Sequence, residues 1–278
     1  MDSSMEQERM VKTMSKEKII AIDAGHGYNT AGKRCLKKLD PNQTREWYLN
    51  DRIADKVEKS LKNYEGCSVL RTDDTTGVKD VSLNARVKSA NTIKADIVVS
   101  VHHNAGINGG AGGGTTVCCW SSDSSKAKAK RLYNAVVEQT GLKGNRANPI
   151  SVRKDLYLIK NTNAPCLLLE NGFMDSSVDV PIILSEAHAD KTAQGIVDFL
   201  VKELNLVKKV VTVNVAKTYT VGQVISLKAG ATYYNGKSIP SWVFKKTLYY
   251  RGKNSNGIIF STVKTGAITG VVKPEYVL

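Results

Sequence analysis

Four side chains in this chain of 278 residues have the types that metal-assisted hydrolysis needs: His26, Glu46, His102 and Glu170. Two imidazoles and one carboxylate form a ligand set for catalytic zinc that leaves one coordination position open for water. A further carboxylate can accept the proton of that water. The set therefore predicts a zinc hydrolase.

Three of these residues follow apolar segments of the kind that form buried strands. His26 lies between two glycines after the apolar residues 19–22, His102 follows residues 97–101, and Glu170 follows residues 165–169. Ligands of open α/β sheets gather beyond the carboxyl ends of the strands. We therefore expect the three side chains to meet at one edge of a sheet.

Glu46 is predicted to lie in the first turn of a helix. Leu49, Ile53, Val57 and Leu61 recur after it at helical spacing. Thr44 is available as the N-cap of that helix.

The segments around these residues resemble the zinc-dependent N-acetylmuramoyl-L-alanine amidases of the amidase 3 type, which occur in bacterial autolysins and phage endolysins. The resemblance spans residues from about 18 to 206 and keeps the order of the motifs. The matching segments are Ile22-Asp23-Ala24-Gly25-His26-Gly27, the isolated Glu46, Ser100-Val101-His102-His103-Asn104-Ala105 and Leu168-Leu169-Glu170-Asn171-Gly172-Phe173.

The resemblance implies that His26, Glu46 and His102 bind zinc and that Glu170 is the catalytic carboxylate. It implies cleavage of the amide bond between N-acetylmuramic acid and L-alanine in peptidoglycan. This chain has His103 where the family commonly has a small residue. Because successive strand residues point to opposite faces, only one of the adjacent rings can face the metal. The motif alignment favours His102, and His103 either lines the cleft or packs.

Two further residues near these motifs have open roles. Asn104 is a candidate for binding substrate, and a strand-terminating turn is an equal alternative. His188, on a predicted amphipathic helix, is interpreted as a solvated residue. The glycine-rich segment 109–114 lacks the lysine and the helix of a phosphate loop, so it is interpreted as a flexible rim of the cleft.

The pattern of elements predicts an α/β catalytic domain over residues 17–206, with a mostly parallel or mixed sheet flanked by helices. An N-terminal extension over residues 1–16 precedes it, and a short linker over residues 207–213 follows. The predicted strands lie near residues 18–23, 67–71, 96–102 and 165–170, and the predicted helices near 45–64, 82–94, 124–140 and 185–204.

Residues 214–278 have a different texture, with short runs of Val, Ile, Tyr and Thr separated by glycine turns. They predict a small all-β barrel. Their pattern is similar to the SH3-like wall-binding modules of clostridial phage endolysins. The aromatic residues of this segment are candidates for stacking on sugar or base faces, and the alternative for more than half of them is the barrel core and a solvated basic surface. They include Tyr233, Tyr234, Trp242, Tyr249 and Tyr250.

Positive charge is concentrated in this second segment. The whole chain has a formal net charge of +14, and residues 214–278 carry +8 of it, with eight lysines and one arginine against one acid. A concentrated basic surface binds polyanions. We expect the partners to be peptidoglycan and the anionic polymers of Gram-positive walls, with neither nucleic acid nor membrane insertion.

No signal peptide is apparent in residues 1–18, and the five cysteines show no disulfide or structural-zinc spacing. We therefore expect synthesis in a host cytoplasm and action on the cell wall after release by a separate membrane-permeabilising protein, as for a phage endolysin. The alternatives are a host autolysin, a sporulation or germination amidase, and a non-catalytic basic protein that binds walls or polyanions.

Overall fold

The computed structural model describes residues 16–209 and 218–278. They form two compact units, divided between Lys209 and Val210. Of the predicted extension over residues 1–16, only Lys16 is described, and residues 210–213 of the predicted linker lie outside the described ranges. The two units are described separately.

The first unit alternates strands and helices, as the sequence predicts for an α/β domain. Its strands are β1 (Lys18–Ala24), β2 (Tyr64–Glu65), β3 (Cys67–Arg71), β4 (Ile97–Asn104), β5 (Thr115–Cys119), β6 (Ile150–Val152), β7 (Cys166–Phe173) and β8 (Val207–Lys208). Its helices are α1 (Glu46–Leu61), α2 (Leu83–Thr92), α3 (Asp123–Thr140), α4 (Tyr157–Asn161), α5 (Asp179–Ile183) and α6 (Glu186–Leu204).

Six strands form a mixed sheet in the order β3-β1-β4-β7-β5-β6. β3, β1, β4 and β7 run parallel, so their carboxyl ends lie at the same edge. β5 runs antiparallel to β7 and parallel to β6. The predicted mixed sheet is confirmed, and the edge where β1, β4 and β7 end is the edge that carries the candidate residues.

Helices cover both faces of this sheet, which explains why its strands are almost continuously apolar. On one face, Ile22, Val101 and Leu169 pack against α1, α3 and α6. On the other, Val98 and Leu168 pack against α2 and α4. The axes of α3 and α6 come close at Gly195, where a Cβ would lie 2.6 Å from the Cα of Val136.

The predicted N-cap of α1 is wrong. Thr44 lies one residue before the N-cap position, and its backbone N–H donates to Asp40 Oδ2 at 2.6 Å. The N-cap position is Arg45, whose side chain makes no capping hydrogen bond. Glu46 nevertheless occupies the first turn, as predicted.

Two carboxylates, those of the half-buried Asp175 and the buried Asp179, hold the loop after β4 that contains the glycine-rich rim. Asp175 Oδ2 accepts hydrogen bonds from the backbone N–H groups of Gly106, Ile107 and Asn108 at 2.7–2.9 Å. Asp179 Oδ2 accepts one from Gly114 at 2.7 Å. The rim predicted as flexible is therefore tied to the turn that follows β7.

The second unit contains a four-stranded antiparallel sheet in the order β12-β11-β10-β9. The strands are β9 (Val224–Ile225), β10 (Leu248–Asn254), β11 (Gly257–Ser261) and β12 (Gly270–Val272), and two short 3-10 helices span Val243–Lys245 and Pro274–Tyr276. Residues such as Val243, Phe260 and Val272 form its own apolar core. Tyr250 is buried, whereas Tyr234 and Trp242 are exposed.

In the two described ranges, no helix has the length and apolar character that crossing a membrane requires.

His188 is buried rather than solvated, which corrects the prediction for this residue. It is 4% exposed, near the start of α6. Its Nε2 lies 3.0 Å from the Asn171 side-chain nitrogen, on β7. The same Asn171 nitrogen donates to Thr192 Oγ1 at 3.0 Å. The contact with Asn171 on β7 thus gives the buried His188 ring a polar partner in place of solvent.

This burial makes the stability of the first unit depend on pH. Burial, together with the charge of Arg52, lowers the pKa of His188 to about 4. A depressed histidine pKa means that the unfolded chain binds a proton first as the pH falls. Stability is then complete above about pH 6.5, the ordinary histidine value, and is lost as the pH falls toward 4.

We expect the free energy of unfolding of the first unit to fall by about 2–3 kcal/mol from His188 alone over this range. Urea unfolding at a series of pH values measures it. His188→Gln keeps a polar group beside Asn171 but cannot titrate, so its loss across the same range should be smaller by that amount. An equal pH dependence in both proteins would contradict this role of His188.

Candidate metal centre

His26 lies on a tight turn just after β1. Its backbone φ is +70°, a left-handed conformation that few non-glycine residues adopt. Gly25 precedes it, and a Cβ there would lie 2.1 Å from His102 Cε1. The absence of a side chain at position 25 lets the His102 ring, at the end of β4, approach the turn. The ring centroids of His26 and His102 are 5.0 Å apart, with planes at 88°.

Glu46 brings a carboxylate between these two rings from the first turn of α1. Its Oε1 lies 3.1 Å from His102 Nδ1 and 3.3 Å from His26 Nε2. The backbone N–H of His103 donates to the same oxygen at 3.2 Å. One ligand atom from each of His26, Glu46 and His102 lies within 4.8 Å of the other two. The structure therefore brings together the three residues predicted to bind metal.

The two imidazoles keep the Glu46 carboxylate ionised. Burial alone would raise its pKa, but the contacts and charges of His102 and His26 outweigh burial and hold the pKa well below its usual range. Conversely, burial would lower the pKa of His102, and Glu46 raises it above the ordinary value. The negative charge of Glu46 therefore attracts both imidazoles of the cluster.

Glu170 lies beside this unit on β7. It is paired in register with His102 on the adjacent parallel strand, so both side chains point to the same face of the sheet. Burial raises the pKa of Glu170, and the negative charge of Glu46 adds to this effect. A carboxylic acid with a raised pKa next to an ionised one is suited to transfer protons.

His103 and Asn104 have different surroundings from His102. His103 points to the opposite face, as strand alternation predicts, where it is 3% exposed and its Nδ1 lies 2.8 Å from Asn50 Oδ1. Asn104 is half-buried, and its Oδ1 accepts a hydrogen bond from the backbone N–H of Ala105 at 2.9 Å. This contact is typical of a turn that ends a strand, which is the alternative to substrate binding for Asn104.

Asn50 is a residue of this site that the sequence analysis missed. It is fully buried one helical turn after Glu46, and its side-chain nitrogen donates to the carbonyl of Gly25 at 3.1 Å. Together with its contact to His103, it links α1, the His26 turn and β4. The sequence signal for Asn50 was a polar residue on the apolar face of α1, between Leu49 and Ile53, where a buried amide needs hydrogen-bond partners.

A pocket of about 340 Å³ opens beside the two histidines. The His26 turn forms one wall and the start of α2 the other; the lining residues include Gly25, His26, Asp80, Val81, Leu83 and His102. The pocket thus reaches the two histidines of the cluster.

The donor set fits a metal ion such as zinc. Neutral imidazole nitrogens and a carboxylate oxygen are its usual ligands. His26 Nε2 and Glu46 Oε2 are buried, and no group in the described ranges forms a hydrogen bond with either atom. Lys33 Nζ, at 3.7 Å from Glu46 Oε2, is too distant for one. A cation between the rings would satisfy both atoms.

Comparison with known proteins agrees with this geometry. The profile of the Amidase_3 family, described as N-acetylmuramoyl-L-alanine amidase, matches residues 20–202. The chain belongs to this family. The matched range contains His26, Glu46, His102 and Glu170 and ends before the second unit.

Individual amidases and lysis proteins show the same similarity. The chain is 30% identical over 199 residues to the endolysin of Bacillus phage SPP1, a match that spans 69% of this chain and 68% of that protein. It is 31% identical over 188 residues to the "Probable cell wall amidase LytH" of Staphylococcus aureus, a match that spans 66% of this chain but 57% of that protein.

A solved structure resembles the first unit. It is the catalytic domain of CwlV, an N-acetylmuramoyl-L-alanine amidase from Bacillus (Paenibacillus) polymyxa var. colistinus, with 28% sequence identity and a TM-score of 0.59. The similarity covers 68% of this chain and 98% of the solved domain. The Amidase_3 unit therefore has the architecture of a complete amidase domain.

The close approach at Gly25 gives a test of the cluster. We expect Gly25→Ala to displace the His102 ring, because the added methyl would lie 2.1 Å from it, and to weaken zinc binding at least tenfold. Zinc competition titration measures the dissociation constant. Gly112→Ala is the matched control, because its added methyl meets nothing closer than 3.3 Å. Equal zinc affinity in the two variants would argue against His102 as a ligand.

Proposed function

We propose that this protein is a zinc-dependent peptidoglycan hydrolase that cleaves the amide bond between N-acetylmuramic acid and the L-alanine of the stem peptide. The observation that carries the proposal is the convergence of His26, Glu46 and His102, with Glu170 in register beside His102, inside the range matched by the Amidase_3 family. In this proposal the first three side chains hold the metal.

Zinc bound there would polarise the scissile carbonyl and lower the pKa of a water molecule to about 7. Glu170 would accept the proton of the attacking water and deliver it to the leaving nitrogen of L-alanine. Burial raises the pKa of Glu170, which favours this exchange because it makes the carboxylate a stronger base than an ordinary glutamate. Asn104, at the end of β4, is proposed to orient the substrate.

The two glutamates should respond differently to substitution. We expect Glu170→Gln to keep zinc and to lower the rate of peptide release by about 10²–10⁴, the usual contribution of a general base. Glu46→Gln should lose zinc and activity together, because it removes the charge that the histidines share.

The assay uses purified Gram-positive peptidoglycan and detects new L-alanine amino termini and reducing sugars, with zinc content measured in parallel. A chelator should abolish activity of the unaltered protein, and restored zinc should recover it. Release of reducing sugars would contradict amide cleavage. Full activity of Glu170→Gln would contradict the role given to Glu170.

We further propose that the protein is a phage endolysin and that its second unit is an SH3-like module that binds the wall. The similarity to the SPP1 endolysin supports the lysis role, whereas the similarity to LytH supports the alternative of a host wall amidase. The small antiparallel sheet with its own core supports the module.

The surface of the second unit suits an anionic glycopolymer. Trp242 is 53% exposed, and Lys245, Lys246 and Lys253 are exposed on the same unit. An exposed indole can stack on a sugar ring, and exposed lysines attract phosphate groups.

We expect the triple change of Lys245, Lys246 and Lys253 to Glu to weaken binding to purified walls at least tenfold and to reduce its dependence on salt. Co-sedimentation with walls, with and without their anionic polymers, measures it. The matched control changes Lys88, Lys130 and Lys191, exposed lysines of the first unit, to Glu and so has the same net charge. Equal loss in both triple variants would contradict a specific role of the second unit.

A further inference from the structure

Arg86 is a buried cation that the proposed mechanism does not use. It lies on α2, is 2% exposed and lines the pocket beside the two histidines. Its five hydrogen bonds go to other groups than the side chains of His26, Glu46, His102 and Glu170. A buried guanidinium is costly unless its donors are satisfied. Its partners therefore indicate what it is for.

All five N–H groups of Arg86 are directed at the turn that carries His26 and at the segment facing that turn. Nη1 donates to Asp23 Oδ1 and to the carbonyl of Ala24, both at 2.7 Å. Nη2 donates to the carbonyl of His26 at 2.8 Å and to Asp80 Oδ1 at 3.3 Å. Nε donates to the carbonyl of Val81 at 2.8 Å.

Two of these contacts span the sharp part of the turn. The carbonyls of Ala24 and His26 flank Gly25 and are held by one planar group. Arg86 thus holds the peptide before Gly25 and the peptide after His26, and Asn50 holds the peptide between them through the Gly25 carbonyl. Together these contacts hold the left-handed φ of +70° at His26. A non-glycine residue in that conformation costs about 1–3 kcal/mol and persists only where its surroundings hold it.

Asp80 closes the turn from the other side. Its second oxygen accepts a hydrogen bond from Thr30 Oγ1 at 2.6 Å, and Thr30 Oγ1 accepts one from the backbone N–H of Gly27 at 2.9 Å. Hydrogen bonds therefore hold the turn before His26, from Arg86, and after it, from Thr30, which is linked to Arg86 by Asp80.

Asp23 extends the same network to the second histidine. Its other oxygen accepts a hydrogen bond from Ser100 Oγ at 2.5 Å, and Ser100 lies opposite Asp23 in the β1–β4 register. His102 is two residues further along β4, on the same face. One guanidinium therefore fixes the turn of His26 directly and the strand of His102 through Asp23.

We infer that Arg86 is a positioning residue for the metal site, which sets the His26 turn and its distance from His102. The inference rests on the proposed function for the identity of the ligand. Its structural content, the hold on the backbone of His26, does not depend on zinc.

Arg86→Lys tests the inference because it keeps a cation beside Asp23 but loses the planar fork that reaches both carbonyls. We expect the zinc dissociation constant to rise about 10–100-fold, as for other residues that orient metal ligands. Peptide release by Arg86→Lys should be slower than by the unaltered protein at low zinc, and saturating zinc should restore part of that rate. A crystal structure of the variant should show that His26 has left its positive φ.

Arg52→Lys is the matched control. Arg52 is also largely buried, on α1, and also donates to two backbone carbonyls, those of Ile183 and Leu184. Neither carbonyl belongs to the cluster or to the His26 turn, so we expect its zinc affinity to match that of the unaltered protein. Unchanged zinc affinity together with an unmoved His26 in Arg86→Lys would overturn the inference.

Asp80→Ala covers the case in which Arg86→Lys does not fold. Asp80 has a side chain that is 47% exposed, so its truncation empties no buried space. It removes the contacts to Arg86 Nη2 and Thr30, and we expect zinc affinity to fall two- to tenfold. A dissociation constant within twofold of the unaltered protein would then overturn the inference.

The two proposals can fail separately. If the unaltered protein binds no zinc, the proposed function fails. The inference about Arg86 is then decided by the conformation of His26 in the crystal structures of the unaltered protein, Arg86→Lys and Arg52→Lys.

Discussion

The buried negative charge of Glu46 is the constraint on which the first unit depends. An isolated carboxylate that is 1% exposed would be costly by several kcal/mol. It is compensated by His26 after β1 and by His102 and the N–H of His103 at the end of β4. The start of α1 and the ends of two strands must therefore meet at one point. The left-handed backbone at His26 and the bare Cα at Gly25 follow from that requirement.

Much of this fold could be predicted from the sequence because burial leaves a periodic signal. The four predicted strands correspond to β1, β3, β4 and β7, each a mostly apolar run. The alternation of strand side chains also placed His102 and His103 on opposite faces. β5 and β6 had no such signal: β6 has three residues, and β5 begins with two threonines. Their pairing depends on tertiary contacts.

The residues that sequence analysis missed are those whose role depends on partners far along the chain. His188 was expected to be solvated because a polar residue on an amphipathic helix usually is, but Asn171 makes its burial possible. Arg86 lies 60 residues or more from the Asp23, Ala24 and His26 groups that it binds. The available signal was Asp23, a charged residue in an apolar strand, which requires a buried partner.

The two glutamates of the site, Glu46 and Glu170, have pKa values shifted in opposite directions because their surroundings differ. Both are largely buried, and burial raises the pKa of each. Glu46 lies between two imidazoles, whose contacts reverse the shift and keep it anionic. Glu170 has the weaker, longer-range attraction of His102 and the repulsion of Glu46 itself, so its shift is not reversed. The pairing that suits Glu46 to holding a cation therefore also moves Glu170 toward proton transfer. The charge of Glu46 thus contributes to both properties, and burial is the larger cause of the raised pKa of Glu170.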